Sequence, residues 1–204
     1  MTITELREIT QGRFIVGFSD GSEMRLNLDI VADLSLFRGR ELSDEEFGAI
    51  KSSSELSGCK EKALKIIGAR PLSCKELKDK LLQKGETFEN AESCIEWLKG
   101  LHYLDDSQYA GMIVRHYSAK GYGIQRIKNE LYMRGVPKEL WEEAVSEIPE
   151  SDDKVYDLLC RKLRSENPDR AELKKATDAL FRRGFSWEEI KSAVNRFNSE
   201  RTEF

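Results

Sequence analysis

The spacing of hydrophobic residues changes near residue 30, and this change divides the chain into two kinds of predicted structure. In residues 14–18 and 24–28 apolar side chains alternate with other residues, as they do along β-strands. Farther along, apolar residues recur every three or four positions, which is typical of one face of an α-helix. We therefore predict a small N-terminal sheet followed by a mainly α-helical chain.

The length of the hairpin loop decides which residues face one another in the predicted sheet. A two-residue loop would place Val16 opposite Arg25, whereas a three-residue loop at 19–21 would place Val16 opposite Met24. We favour the three-residue loop, with its glycine at positive φ. Residues 4–9 are expected to add a third strand, which gives a β-meander that needs another element to cover it.

A helix and a linker are predicted to complete the N-terminal segment. Ser43 and Glu46 have the S-x-x-E spacing of a capping box, so a helix is expected to begin there. The serine-rich stretch 52–58 is predicted to be a linker. We therefore assign residues 1–58 to a β-hairpin and helix segment with its linker.

An internal repeat of about 50 residues organises the rest of the chain. A basic residue and a glycine recur as Lys84-Gly85, Arg134-Gly135 and Arg183-Gly184. The residues eleven, eight and four positions before each glycine are apolar and share one helix face. They are Cys74, Leu77 and Leu81, then Ile124, Ile127 and Leu131, then Leu173, Ala176 and Leu180.

Each repeat is expected to contain three helices, and its glycine is expected to end the middle helix with a positive φ. The three-helix repeats are assigned to residues 59–105, 106–150 and 151–204. One such unit buries only part of its apolar surface alone, so neighbouring repeats are expected to stack. The predicted fold is mainly α, with three repeats in an elongated, curved array.

The residues most suited to chemistry have simpler structural explanations in this sequence. The cysteines form no C-x-x-C pair, and the two histidines have no spacing typical of a metal site. Asp106 is expected to cap a helix, and Gly121-Tyr122-Gly123 to form a loop between helices. We predict packing in the core for Trp97, Trp141 and Trp187. No enzyme activity, cofactor or metal is predicted.

Targeting signals and membrane spans are not evident in the sequence. The N-terminus lacks the apolar core of a signal peptide, and no apolar stretch approaches bilayer length. We therefore expect a cytoplasmic protein that does not associate with a membrane.

Charge is distributed unevenly along the chain, although the net charge is only −4. This small negative value argues against a protein that simply coats nucleic acid. Basic residues dominate 115–140, whereas 139–153 contains seven acidic residues and no lysine or arginine. A charge run is often only a solvated face, but a sharp change of sign also suits a surface that binds another macromolecule.

The repeats resemble the RecX family, regulators of the bacterial recombinase RecA. The resemblance is carried by Ala63-Leu64, Arg70, Ser73, Glu76, Leu77 and Leu81; by Leu104-Asp105-Asp106, Tyr109 and Ala110; by Gly121, Gly123, Ile127, Glu130, Leu131, Arg134 and Gly135; and by Arg183-Gly184-Phe185. Glu86 departs from the family pattern, which often has an apolar or aromatic residue there.

The resemblance implies three tandem three-helix repeats that bind in the groove of a RecA filament and limit its growth, ATPase or strand exchange. It implies a role in DNA recombination, DNA repair and the SOS response, for a monomer without a cofactor. The implied partners are the RecA filament and single- or double-stranded DNA within it. The alternative is a DNA-binding protein of tandem helix-turn-helix-like units.

The basic run supplies the candidate contact residues for RecA or DNA. They are Arg115, Lys120, Arg126, Lys128 and Arg134. The stripe Ile124, Ile127 and Leu131 is committed to the core, so the cations of the same helix are expected to point outward. Direct DNA binding would weaken steeply with salt even without a recombinase, which separates the two functions.

Overall fold

The protein is described from a computed structural model, which covers residues 1–148, 152–163, 165 and 167–202. The chain forms two compact units, Met1–Pro71 with Leu77–Tyr103, and Leu72–Glu76 with Leu104–Phe204. The strands are β1 (Ile3–Thr10), β2 (Arg13–Phe18) and β3 (Glu23–Asn27). The helices of the described residues are α1 (Leu28–Asp33), α2 (Asp44–Ile67), α3 (Cys74–Gln83), α4 (Phe88–Gly100), α5 (Asp106–Ala119), α6 (Ile124–Met133), α7 (Trp141–Ser146), α8 (Asp152–Lys162), α9 (Arg170–Arg182) and α10 (Trp187–Thr202).

The N-terminal sheet is an antiparallel meander in the order β1-β2-β3. Val16 pairs with Met24, which confirms the register expected from a three-residue loop. Gly21 in this loop has a φ of 84°. The predicted third strand is confirmed as β1, which pairs with β2 along its length.

Helix α2 covers one face of this sheet. Ile50 is buried in the same cluster as Val16, and the Phe18 and Phe47 rings meet edge to face with centroids 5.0 Å apart. Farther along α2, Glu61 forms an ion pair with Arg13 at 2.8 Å. The meander therefore obtains the apolar partner that a small sheet requires.

The predicted linker at 52–58 is wrong, because these residues form the middle of α2. The helix begins at the expected capping box of Ser43 and Glu46. Ile50 and Cys59, on either side of the serine-rich stretch, are buried. Serine is only a modestly poor helix former, so packing on both sides outweighs local composition. The boundary assigned at residue 58 consequently falls inside a helix.

The three recurring glycines end α3, α6 and α9 in the same way. Gly85, Gly135 and Gly184 have φ values of 83°, 67° and 89°, which confirms the predicted positive φ. The residue after each glycine donates its N–H to the carbonyl five positions earlier. These bonds are Glu86 to Leu81 (3.1 Å), Val136 to Leu131 (3.0 Å) and Phe185 to Leu180 (3.4 Å). This is the Schellman arrangement, which satisfies carbonyls left over at a helix end.

The apolar stripes of the middle helices lie in the core as predicted. Leu77 and Leu81 of α3, Ile127 and Leu131 of α6, and Ala176 and Leu180 of α9 are all buried. In the second repeat, Pro137 precedes a 3₁₀ turn at Lys138–Leu140 that leads into α7. The mainly α fold with three three-helix repeats is thereby confirmed.

Candidate binding surface

The second repeat, which carries the predicted contact residues, begins at a strong helix cap. The Asp105 carboxylate accepts hydrogen bonds from the backbone N–H groups of Ser107 (2.8 Å) and Gln108 (3.0 Å) at the start of α5. The predicted cap at Asp106 is therefore one residue too late. Asp106 instead accepts a hydrogen bond from the backbone N–H of Cys74 at 2.9 Å.

Three of the five predicted contact cations, which lie on α5 and α6, have exposed or half-buried side chains and form ion pairs within hydrogen-bond distance. Lys120, at the end of α5, is exposed and forms no ion pair with any residue that the structure describes. The three pairs are Arg115 with Glu147 (3.0 Å), Arg126 with Glu130 (2.8 Å) and Lys128 with Glu142 (2.7 Å).

Two of these glutamates come from the acidic stretch 139–153. That stretch follows the basic run directly in the chain, and the fold brings its Glu142 and Glu147 back against cations of the run. The surface is consequently less polarised than the sequence suggests. Exposed ion pairs contribute only about 0–1 kcal/mol each, so a charged partner can displace them at small cost.

Arg134 does not point outward, and that part of the expectation is wrong. It is the C-cap of α6, and its side chain is 31% exposed. Its guanidinium donates hydrogen bonds to the hydroxyl oxygens of Tyr109 (3.1 Å) and Tyr117 (3.5 Å). Its Nε lies 3.7 Å from Glu130 Oε2, beyond hydrogen-bond distance. Arg134 is thus tied into the repeat by its own neighbours.

A buried tyrosine extends this network to the start of α3. The Tyr109 hydroxyl accepts from Arg134 and donates to Glu76 Oε2 at 2.9 Å. Burial raises the pKa of Tyr109, with Arg134 opposing and Glu76 reinforcing the shift. Glu76 also forms a capping box with Ser73, whose hydroxyl donates to the Arg134 carbonyl. The second unit therefore holds the residues 72–76 through a continuous polar chain.

A closely similar contact recurs one repeat later, where α6 begins. The backbone N–H of Gly123 donates to the Arg183 carbonyl at 2.9 Å, and that of Gln125 donates to the Gly184 carbonyl at 3.0 Å. A Cβ atom on Gly123 would lie 2.3 Å from the Gly184 carbonyl oxygen. Gly121-Tyr122-Gly123 is therefore a loop, as predicted, and its last glycine permits direct backbone contact with the third repeat.

Other candidate residues take ordinary structural positions. Both histidines are exposed, and Trp97 and Trp141 are half-buried. Trp141 donates from Nε1 to the Val136 carbonyl at 3.0 Å, whereas Trp187 is 60% exposed, so its predicted core position is wrong. Among the described residues, no group of three or more His, Cys, Asp or Glu side chains is arranged to hold a metal ion. None of the described helices has the length and apolarity needed to cross a bilayer.

Tandem three-helix units, each with a glycine turn ending its middle helix, define this chain as a helical repeat protein. Models of the first, second and third three-helix domains of RecX match residues 59–98, 105–145 and 150–194. The regulatory protein RecX of Xanthomonas campestris pv. campestris strain B100 is 34% identical over 143 residues, which cover 69% of this chain and 87% of that relative. The chain belongs to the RecX family.

Further relatives extend the match to the N-terminal segment. The regulatory protein RecX of Streptococcus gordonii is 26% identical over 203 residues, covering 98% of this chain and 78% of that protein. A crystal structure of regulatory protein RecX has the same fold, with a TM-score of 0.78 and 19% identity over 95% of this chain and 98% of that one. RecX from Lactobacillus salivarius gives a TM-score of 0.64 at 22% identity, covering 71% of this chain and 97% of that chain.

Proposed function

We propose that this protein regulates the bacterial recombinase RecA by binding in the groove of its filament and limiting filament growth, ATPase and strand exchange. The observation that carries the proposal is the match to three RecX domains in their order along the chain. The relatives that this chain matches are named regulatory protein RecX. The proposal includes action as a monomer in the cytoplasm, in DNA recombination and repair and the SOS response.

The proposed contact surface consists of Arg115, Lys120, Arg126 and Lys128, on α5 and α6. Arg134 has a supporting role through its hydrogen bonds to Tyr109 and Tyr117 within the same repeat. In the free protein three of these cations are paired with glutamates that are themselves exposed or half-buried. Acidic groups of the recombinase, or phosphates of its DNA, would replace those glutamates. Because the charges are already positioned by short intramolecular bonds, exchange of partners requires little rearrangement of the surface.

The test is a titration of the protein into RecA assembled on single-stranded DNA, with ATP hydrolysis and strand exchange as readouts. Reversing the contact charges as Arg126→Glu with Lys128→Glu should leave the fold intact, because exposed ion pairs contribute little to stability. If these charges contact desolvated partners in the filament, the apparent free energy of binding obtained from the inhibition curve should weaken by about 2–3 kcal/mol. Circular dichroism checks the fold.

A matched control makes the same change of net charge elsewhere. Lys174 and Lys191 are exposed on α9 and α10, and Lys174→Glu with Lys191→Glu should inhibit like the parent protein. A folded Arg126→Glu and Lys128→Glu protein that still inhibits fully would exclude this contact surface. A parent protein with no effect on RecA, combined with strongly salt-dependent DNA binding, would favour the alternative of a tandem DNA-binding protein.

A further inference from the structure

The two most exposed large apolar side chains of the described residues are neighbours at the end of α6. Tyr132 is 69% exposed and Met133 is 71% exposed. Single apolar side chains scattered over a surface are common and need no explanation. Two adjacent ones of this size, on a helix that also carries cations of the proposed contact surface, indicate a place where another surface packs.

Helix geometry places this apolar pair beside two of the proposed contact cations. Lys128 precedes Tyr132 by four positions, so their side chains are neighbours on the helix surface. Arg126 precedes Met133 by seven positions, which is nearly two full turns, and the two residues share one side of the helix. The buried stripe of α6, which includes Leu131, faces the other way. The outward face of α6 therefore has an apolar end with a cation along each margin.

Backbone hydrogen bonds hold the end of α6 in place. The N–H of Gly135 donates to the Tyr132 carbonyl at 2.9 Å, and the N–H of Val136 donates to the Leu131 carbonyl at 3.0 Å. The Tyr132 hydroxyl forms no hydrogen bond with any residue that the structure describes, so it can donate one to a partner. Side chains presented by a fixed backbone require little ordering on binding, which favours affinity.

We propose that Tyr132 and Met133 insert into an apolar pocket on the protein surface of the recombinase, and that carboxylates bordering this pocket bind Arg126 and Lys128. This contact rests on the proposed regulation of RecA, and it specifies which chemistry of the filament α6 meets. Tyrosine, methionine and arginine are enriched in protein–protein interfaces relative to other surfaces. A methionine side chain adapts its shape to an apolar pocket but offers no hydrogen-bond donor to a phosphate.

The ion pairs of the free protein support carboxylates as the groups around the pocket. Arg126 binds the Glu130 carboxylate at 2.8 Å, and Lys128 binds the Glu142 carboxylate at 2.7 Å. Both cations are therefore already directed at carboxylate oxygens, and acidic side chains of a partner fit the same geometry. An apolar centre with charged margins is the usual anatomy of a protein interface, in which the centre supplies most of the affinity and the margins supply orientation.

The experiment compares binding of the protein to RecA filaments assembled on single-stranded DNA with binding to the same DNA alone. Cosedimentation measures the first, and fluorescence anisotropy of the labelled strand measures the second. Tyr132→Ala with Met133→Ala removes the apolar pair while alanine maintains the helix. The matched control is Phe181→Ala with Trp187→Ala, which removes side chains of the third repeat that are 63% and 60% exposed. Circular dichroism and thermal unfolding establish that both variants fold.

We expect the Tyr132→Ala and Met133→Ala protein to bind the filament about tenfold or more weakly than the parent, because truncating the side chains at the centre of an interface has the largest effect. Inhibition of ATP hydrolysis by RecA should weaken by the same factor. Any affinity for DNA alone should change by less than about twofold, because neither side chain carries a charge. The control should stay within about twofold of the parent on the filament.

The substitution Met133→Lys decides between a pocket in a protein and the phosphates of DNA. In an apolar pocket the new ammonium group would lose its hydration, so filament binding should weaken by about tenfold. On a surface that faces phosphates, the added cation would instead strengthen binding. Phe181→Lys adds the same charge to the third repeat and should leave binding within about twofold of the parent.

Three results would overturn the contact while leaving the proposed function in place. The alanine variant and its control could weaken equally, the alanine variant could lose affinity for the bare strand as much as for the filament, or Met133→Lys could bind more tightly. The second and third results would mean that α6 contacts DNA. A folded alanine variant that binds and inhibits like the parent would also refute the contact alone. A parent protein that neither binds nor inhibits the filament would refute the proposed function, and the contact with it.

Discussion

Gly123 offers a sharp test of the backbone contact between the second and third repeats. Its φ of −83° and ψ of 167° are ordinary for any residue, so alanine there introduces no backbone strain. The new Cβ, however, would lie 2.3 Å from the Gly184 carbonyl oxygen and 2.5 Å from the Phe185 nitrogen. These atoms belong to the main chain, so the two segments must move apart to accommodate Gly123→Ala.

The expected cost follows from what this movement disrupts. The Gly123 and Gln125 hydrogen bonds to the third repeat would lengthen, and each contributes about 1 kcal/mol net. Overpacking of a close contact adds about 1–3 kcal/mol. We therefore expect Gly123→Ala to lower the free energy of unfolding by about 2–4 kcal/mol, measured by urea denaturation followed by circular dichroism.

Two further variants separate the clash from other effects. Gly85 has a φ of +83°, and a Cβ added to it would meet no atom of the described residues within 4 Å. Gly85→Ala therefore measures backbone strain alone, about 1–2 kcal/mol. Gly123→Ser supplies a favourable residue at the N-cap of α6 but still introduces a Cβ. If Gly123→Ser is as stable as the parent, the backbone accommodates the added Cβ and the proposed clash is refuted.

Three other perturbations follow from the buried polar groups. Tyr109→Phe removes hydrogen bonds to Glu76 and Arg134 and should cost about 2–3 kcal/mol in thermal unfolding. Burial, reinforced by Cys94 and Glu86, raises the pKa of Cys59 from 9.0 to about 12. The unfolded chain loses this proton first, so stability should fall between pH 9 and about 12, and less so in Cys59→Ala. Lys62→Met should lower the urea midpoint because it leaves the nearly buried Glu86 carboxylate without its ion-pair partner, and adding Glu86→Val should restore that midpoint.

The periodic features of the fold are predictable because they are local. Glycine turns, capping boxes and apolar stripes each depend on residues within a few positions of one another, and Gly135 has the positive φ that its position indicates. The serine-rich part of α2 shows the limit of such reasoning. Its helix is held by Ile50 and Cys59 on either side, and composition alone does not reveal that burial.

The binding surface is less predictable because ion pairs depend on tertiary contacts. Glu147 lies 32 residues from Arg115 in the chain, yet their side chains meet. In the sequence Arg134 looks like another exposed cation, but in the structure its guanidinium donates hydrogen bonds to the hydroxyls of Tyr109 and Tyr117. Arg183 likewise reaches the Gly121 carbonyl, 62 residues away in the chain, only through the packing of the second and third repeats.

The contacts made at the starts of α3 and α6 also carry information about the order of the repeats. At one position Ser73 reaches the Arg134 carbonyl with its side chain, whereas at the corresponding position Gly123 reaches the Arg183 carbonyl with its main chain. A serine in the second position would collide with the neighbouring backbone. Although the repeats share one architecture, we therefore expect that they are not interchangeable. A chain with its repeats in another order would lose the contacts at the starts of α3 and α6, even though each helix kept its own apolar stripe.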